Sequence, residues 1–137
     1  MERKNYKLIY MYRYSILFLL LFSCFSNNND LNIISNFEFS QYSKDDITLI
    51  DVRTLKEFET GFIENAINID FYSNSISSKI SLLDKDSKFV IYCRSDNRST
   101  KFAKLLLESG FKDVNVIKGG MIEWVKSGND LIYPNFN

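Results

Sequence analysis

Histidine is absent from this 137-residue chain. Without an imidazole there is no Cys–His nucleophile pair of the protease type and no metal site that uses histidine, so any catalysis proceeds without that base. Cysteine is nearly absent too, with Cys24 and Cys93 alone; if Cys24 is modified, Cys93 is the sole free thiol and has no partner for an intramolecular disulfide. Long apolar runs are missing. Ile16-Leu17-Phe18-Leu19-Leu20-Leu21-Phe22 has seven residues, far short of the ~20 that span a bilayer as a helix. An excess of positive charge is also lacking: 17 basic and 17 acidic residues balance, and four of the basic ones (Arg3, Lys4, Lys7, Arg13) lie in the first 23 residues beside Glu2 alone. The remainder carries 13 basic and 16 acidic residues, a mildly acidic body without the basic stripe that a nucleic-acid partner requires.

What is present suits one domain with a real core, since 45% of residues are hydrophobic and 25% charged. Residues 1–23 have the layout of a secretory signal, with a basic stretch, the short apolar run and the small residue Ser23. Leu21-Phe22-Ser23-Cys24 resembles a bacterial lipobox, in which the cysteine is lipidated and becomes the new N-terminus, although Phe22 replaces the usual small residue. That resemblance implies acyl chains on Cys24 contributing about 0.8 kcal/mol per buried CH₂. The protein is then expected to be extracytoplasmic and lipid-anchored to a bacterial membrane, at its periplasmic face or the cell surface. Residues 24–32 form the lipidated cysteine and an Asn-rich tether. The domain occupies 33–128, residues 129–137 are a C-terminal tail, and the chain is taken as a monomer.

Apolar patterning outlines the domain. Ile33-Ile34, Ile47 to Asp51, Ala66 to Asp70, Lys88 to Tyr92 and Val114 to Ile117 read as strands. Between them lie helical segments: a turn or two at 37–42, a short helix opened by the capping-box pair Thr54 and Glu57, a helix from Ser75 to Leu83, and one over 98–109. In this last helix Phe102, Leu105 and Leu106 are expected to face inward on one stripe, with Ala103 and Leu107 widening it. Gly110 then stops it and Phe111 folds back on Leu106. Gly119-Gly120 opens a final helix with Met121, Ile122, Trp124 and Val125. Strands alternating with short helices predict an α/β domain, with about five mostly parallel strands and helices on both faces.

Cys93-Arg94-Ser95-Asp96-Asn97-Arg98-Ser99 falls where one of these strands ends and a helix begins. In parallel sheets the working edge is formed by the carboxyl ends of the strands. Unpaired backbone N–H groups, the positive end of a helix dipole and two arginines all favour a thiolate there. Cys93 is the candidate nucleophile, with residues Arg94, Ser95, Asp96, Asn97, Arg98 and Ser99 as the anion-binding cradle. The competing reading of Cys93 is a small buried hydrophobe at a strand end. Asp51 and Arg53 lie at another strand's carboxyl end and could line the same mouth. They are read first as structural, with Arg53 and Glu57 forming an i, i+4 pair. Gly119-Gly120 is assigned to backbone geometry alone.

Four stretches carry a resemblance to a known family: Leu49-Ile50-Asp51-Val52-Arg53, the segment from Glu57-Phe58 through Gly61-Phe62-Ile63-Glu64-Asn65-Ala66 to Ile69, Tyr92 to Ser99, and Lys118-Gly119-Gly120-Met121-Ile122-Glu123-Trp124. In order and spacing this resembles the rhodanese-like domain in its single-domain, sulfurtransferase form. The resemblance implies a persulfide on Cys93, a thiosulfate-like sulfur donor, a thiol or cyanide acceptor, and neither cofactor nor metal. Phe62 and Asn65 depart from the family's histidine and glycine at positions that are mostly structural. Asp96 stands where the family commonly has glycine, and is expected to keep the loop shape by tolerating a left-handed backbone. If its carboxylate faces the cradle it repels an anionic donor; if it faces solvent or pairs with Arg94 or Arg98 it does little.

Cys93 to Arg98 is Cys-x₄-Arg, shorter than the Cys-x₅-Arg loop of tyrosine-phosphatase-like enzymes, which favours sulfane sulfur over a phosphate ester. A rhodanese-fold binding or regulatory module without turnover is the alternative function. A phosphatase or arsenate reductase is a more distant one.

Overall fold

The computed structural model describes residues 31–134. The expected signal segment, Cys24 and all but the end of the expected tether lie outside the described residues. Five strands, β1 (Asn32–Ile34), β2 (Ile47–Asp51), β3 (Ile67–Asn68), β4 (Lys88–Tyr92) and β5 (Asp113–Ile117), form one sheet in the order β1-β5-β4-β2-β3. Every paired ladder is parallel. Five α-helices connect or follow them: α1 (Asn36–Ser40), α2 (Leu55–Phe58), α3 (Ile76–Ser81), α4 (Asn97–Glu108) and α5 (Gly120–Lys126).

β4 is the middle strand, and its residues explain why. Phe89, Ile91 and Cys93 enter one core cluster while Val90 and Tyr92 enter the other, the two-residue alternation of a strand covered on both faces. On the first face α4 supplies Phe102, Ala103, Leu106 and Leu107, and α3 supplies Ile80. On the second, Met121 and Trp124 of α5 pack with Phe39 of α1 and Phe58 of α2. The expected helices on both faces are therefore present.

Local signals set the helix ends. Thr54 accepts from the Glu57 N–H while the Glu57 carboxylate accepts from the Thr54 N–H at 3.0 Å, closing the capping box that opens α2. At the end of α4 the Gly110 N–H bonds the Leu107 carbonyl and the Phe111 N–H bonds the Leu106 carbonyl, at 3.0 and 3.1 Å. This is a Schellman motif, with Gly110 at φ 89°. It turns the chain so that Phe111 enters the core edge-to-face with Phe89.

Three details differ from the sequence reading. The strand expected over 66–70 contracts to Ile67–Asn68, because it pairs with β2 at two positions only, and the Asn68 amide is spent on the Asp51 and Arg53 carbonyls. Leu105 is exposed rather than core; in α4 the inward stripe runs through Phe102, Ala103, Leu106 and Leu107. Residues 129–134 are tied to the domain, through an antiparallel bridge between Phe62 and Ile132 and a bond from the Trp124 indole N–H to the Asp130 carbonyl. Among the described residues no helix is long and apolar enough to cross a membrane.

The Schellman turn generates one test. Gly110→Ala places a Cβ on a left-handed backbone and is expected to destabilise the domain by about 1 to 2 kcal/mol, read as a lower denaturant midpoint with an unchanged slope.

Candidate active site

Cys93 follows the last residue of β4 and is only 1% exposed. The following loop runs directly into α4, as the strand-to-helix reading anticipates. The Ser99 hydroxyl donates to Cys93 Sγ at 3.4 Å and also lies 3.2 Å from the Asp96 carbonyl. Arg94, Ser95, Asp96 and Asn97 are exposed, whereas Arg98 and Ser99 are tucked inward. The backbone N–H groups of residues 94–99 take no protein partner among the described residues. Such N–H groups at a helix start are suited to hold negative charge.

The loop's carbonyls are held from the other side. Met121 N–H donates to the Cys93 carbonyl at 2.9 Å, and Ile122 N–H to the Arg94 carbonyl at 3.0 Å. A Cβ on Gly120 would lie 2.4 Å from the carbonyl oxygens of both Cys93 and Ser95. No side chain fits in that contact. Gly119-Gly120, assigned above to backbone geometry alone, is thus a direct wall of the loop. A helix opening on two glycines just after a strand was the signal that could have revealed it.

Arg98 is held by Glu57 in a two-pronged pair, Nη1 to Oε2 at 2.6 Å and Nη2 to Oε1 at 2.8 Å, with the arginine side chain 13% exposed. The expected Arg53–Glu57 pair is not formed. Glu57 instead spans α2 and α4, because its cap geometry already aims the carboxylate toward the start of α4. The bonds from Arg98 pull the Glu57 carboxyl down to about 2, with Thr54 adding to the effect against a penalty from burial. Glu57 in turn raises the Arg98 guanidinium, and Cys93 contributes in the same direction, so the sulfur lies within the electrostatic reach of Arg98. Tyr72 completes this corner, its ring centroid 5.8 Å from the guanidinium.

Asp51 and Arg53 do not line the mouth. They are 0% and 4% exposed and form a buried pair, Arg53 Nε and Nη2 donating to Asp51 Oδ2 at 2.8 and 2.6 Å. Arg53 also donates to the Gly61 carbonyl at 2.7 Å. Tyr92 joins the cluster: its hydroxyl accepts from the Ile63 N–H at 3.1 Å, and burial together with the Asp51 charge raises its ionisation well above the usual range. These groups brace the ends of β2 and β4 and the chain between α2 and β3.

Asp96 also departs from expectation. Its φ is −126°, so the loop needs no left-handed residue there, and its carboxylate pairs with neither Arg94 nor Arg98. Oδ1 accepts from the Gly119 N–H at 2.7 Å.

A thiol at the carboxyl end of the central strand of a five-stranded parallel sheet, the only one among the described residues and under a loop of unspent N–H groups, defines a class of thiol-loop α/β domain. The sequence places the chain within it: residues 38–127 match the rhodanese-like domain, and the protein belongs to that family. A sulfurtransferase of Allochromatium vinosum is 33% identical over 106 residues, covering 76% of this chain and 97% of that one. The YtwF protein of Bacillus subtilis, assigned to the sulfurtransferases, is 44% identical over 80 residues, 58% of this chain and 75% of its own. A rhodanese-like domain protein from Staphylococcus aureus superposes with a TM-score of 0.65 at 28% identity, covering 76% of this chain and 99% of that one. Similar sequence also occurs within tRNA uridine(34) hydroxylases, such as that of Hamiltonella defensa, of which the chain spans 29%.

The Glu57–Arg98 pair makes a pH-dependent contribution of definite sign. The folded Glu57 carboxyl sits near 2 and the unfolded one near 4.5. Its stabilisation is therefore complete above the unfolded value and is lost as pH falls through the folded one. Glu57→Gln is expected to cost about 1 to 2 kcal/mol at neutral pH, discounted for partial exposure. The gap between variant and parent should close as acid unfolding is followed by circular dichroism from pH 4.5 toward 2.

Proposed function

We propose that the protein is a sulfurtransferase that carries sulfane sulfur as a persulfide on Cys93. The observation that carries this reading is the position of Cys93 Sγ under a loop whose N–H groups from 94 to 99 are unspent. In the first half-reaction the Cys93 thiolate attacks the outer sulfur of thiosulfate. The new Cys93–S–S⁻ bond forms as the donor S–S bond breaks, and sulfite leaves with the electron pair. In the second, the thiolate of an acceptor, or cyanide, attacks the outer sulfur of the persulfide, giving acceptor persulfide or thiocyanate and restoring the Cys93 thiolate. This is a ping-pong sequence requiring no general base, in keeping with a chain that has no histidine.

The cradle residues take separate roles in this scheme. Exposed Arg94, with Ser95 and Asn97, meets the donor's sulfonate. Arg98 is engaged by Glu57 and supplies field from a fixed position rather than a mobile clamp. The Ser99 hydroxyl donates to the sulfur. Asp96 directs a carboxylate oxygen at Gly119 instead of pairing within the cradle, which favours turnover over a silent binding module. The Allochromatium vinosum sulfurtransferase, matched over 97% of its length, supports the same reading.

The acceptor is a thiol, either a small molecule or a protein, and the enzyme works as an extracytoplasmic monomer held at a bacterial membrane by lipid on Cys24. Support for the anchor is the run Ile16 to Phe22 followed at once by Ser23-Cys24.

Two measurements test these statements. Incubation with thiosulfate followed by intact-mass analysis is expected to add one sulfur atom at Cys93 and none in Cys93→Ser; absence of the added sulfur with thiosulfate and other sulfane donors would refute the transferase. For the anchor, the full-length protein expressed in a bacterium is expected to partition into detergent, with Cys24→Ser released to the aqueous phase.

A further inference from the structure

Asp96 is the N-cap residue of α4, yet its side chain makes no bond to that helix. An aspartate at this position ordinarily accepts from the N–H of the second or third helical residue, here Arg98 or Ser99. Had it done so, it would have consumed one of the donors that surround the thiol.

The carboxylate goes instead to α5. Gly119 is the N-cap of that helix and Ile122 occupies its third position, where a glutamate or glutamine would reach back to the cap's N–H. Isoleucine has no acceptor to offer. Asp96 Oδ1 fills the vacancy across 23 residues of sequence, at 2.7 Å. Together with Met121 N–H on the Cys93 carbonyl and Ile122 N–H on the Arg94 carbonyl, at 2.9 and 3.0 Å, it makes three bonds between the start of α5 and three of the four residues 93–96. Two of the three use loop carbonyls that any residue type supplies. The third depends on the side chain at 96.

From this we propose that Asp96 is a positioning residue that staples the thiol loop to α5 while leaving the first N–H groups of α4 free for the sulfur. The proposal rests on the sulfurtransferase reading for its functional consequence but not for the staple itself. Loss of the bond removes one of the loop's three ties to α5 and allows its N–H groups to drift from the geometry that holds charge on the sulfur.

Amide hydrogen exchange and sulfur loading test it together, on the folded parent and on Asp96→Ala and Asp96→Asn, each checked by thermal melting. The Asn amide oxygen can accept the same bond without the charge. Exchange at the Gly119 N–H is expected to speed up about tenfold in Asp96→Ala and to be largely restored in Asp96→Asn. The loading rate at saturating thiosulfate is expected to fall in Asp96→Ala, with partial rescue by Asp96→Asn and little change in the donor concentration at half-saturation. Equal Gly119 exchange in parent and Asp96→Ala would overturn the staple. Faster loading in both variants, through tighter donor binding, would show instead that the Asp96 charge only repels the donor, and would overturn the proposal. If the parent takes up no sulfur, the sulfurtransferase reading fails, while the exchange comparison still decides whether the staple exists.

Discussion

The Cys93 carbonyl accepts a hydrogen bond from the Met121 N–H, and the chemistry of the site follows from the direction of that bond. A trans peptide is planar, with its carbonyl and N–H pointing oppositely. When the Cys93 and Arg94 carbonyls face α5, the N–H groups of Arg94 and Ser95 are forced to face away from it. Close approach of Gly120 is what lets α5 come near enough. One glycine contact and two backbone bonds thus orient a set of donors, with the Asp96–Gly119 bond beside them. A set of donors so placed can hold negative charge without a histidine.

Charge enters as scaffolding around that core arrangement. Asp51 and Arg53 are buried together, a costly placement that is sustained because Arg53 also reaches the Gly61 carbonyl and Asp51 accepts the Arg53 backbone N–H. They brace the ends of β2 and β4, where the Arg53 guanidinium also lies over the Tyr92 ring. Glu57 does the same for α4, fixing Arg98 so that its positive field reaches the sulfur from an unchanging place. Of the two loop arginines, Arg94 alone remains exposed.

The fold was legible because its signals are local and redundant. Short, nearly continuous apolar runs marked β2 and β4, a Thr–Glu cap marked α2, and Gly110-Phe111 marked the end of α4. Cys93 and its loop were legible because a thiol, two arginines and a helix start coincide. What escaped the sequence was pairing between distant segments. Glu57 had two cationic candidates, and the nearer in sequence, Arg53, was the wrong one because Asp51 outcompetes it at 2.6 Å. Asp96 was weighed against its neighbours in the loop, whereas its acceptor oxygen is satisfied 23 residues away. Leu105 failed for a different reason: a helical stripe drawn from hydrophobicity alone cannot tell its edge from its centre.

The sheet's borders carry a further consequence. β1 and β3, the outermost strands, are three and two residues long, so each rim presents only a few free backbone donors and acceptors. A neighbouring chain adding itself edge to edge would find too short a template to hold in register. The abbreviated rims thus leave little backbone for edge-to-edge addition.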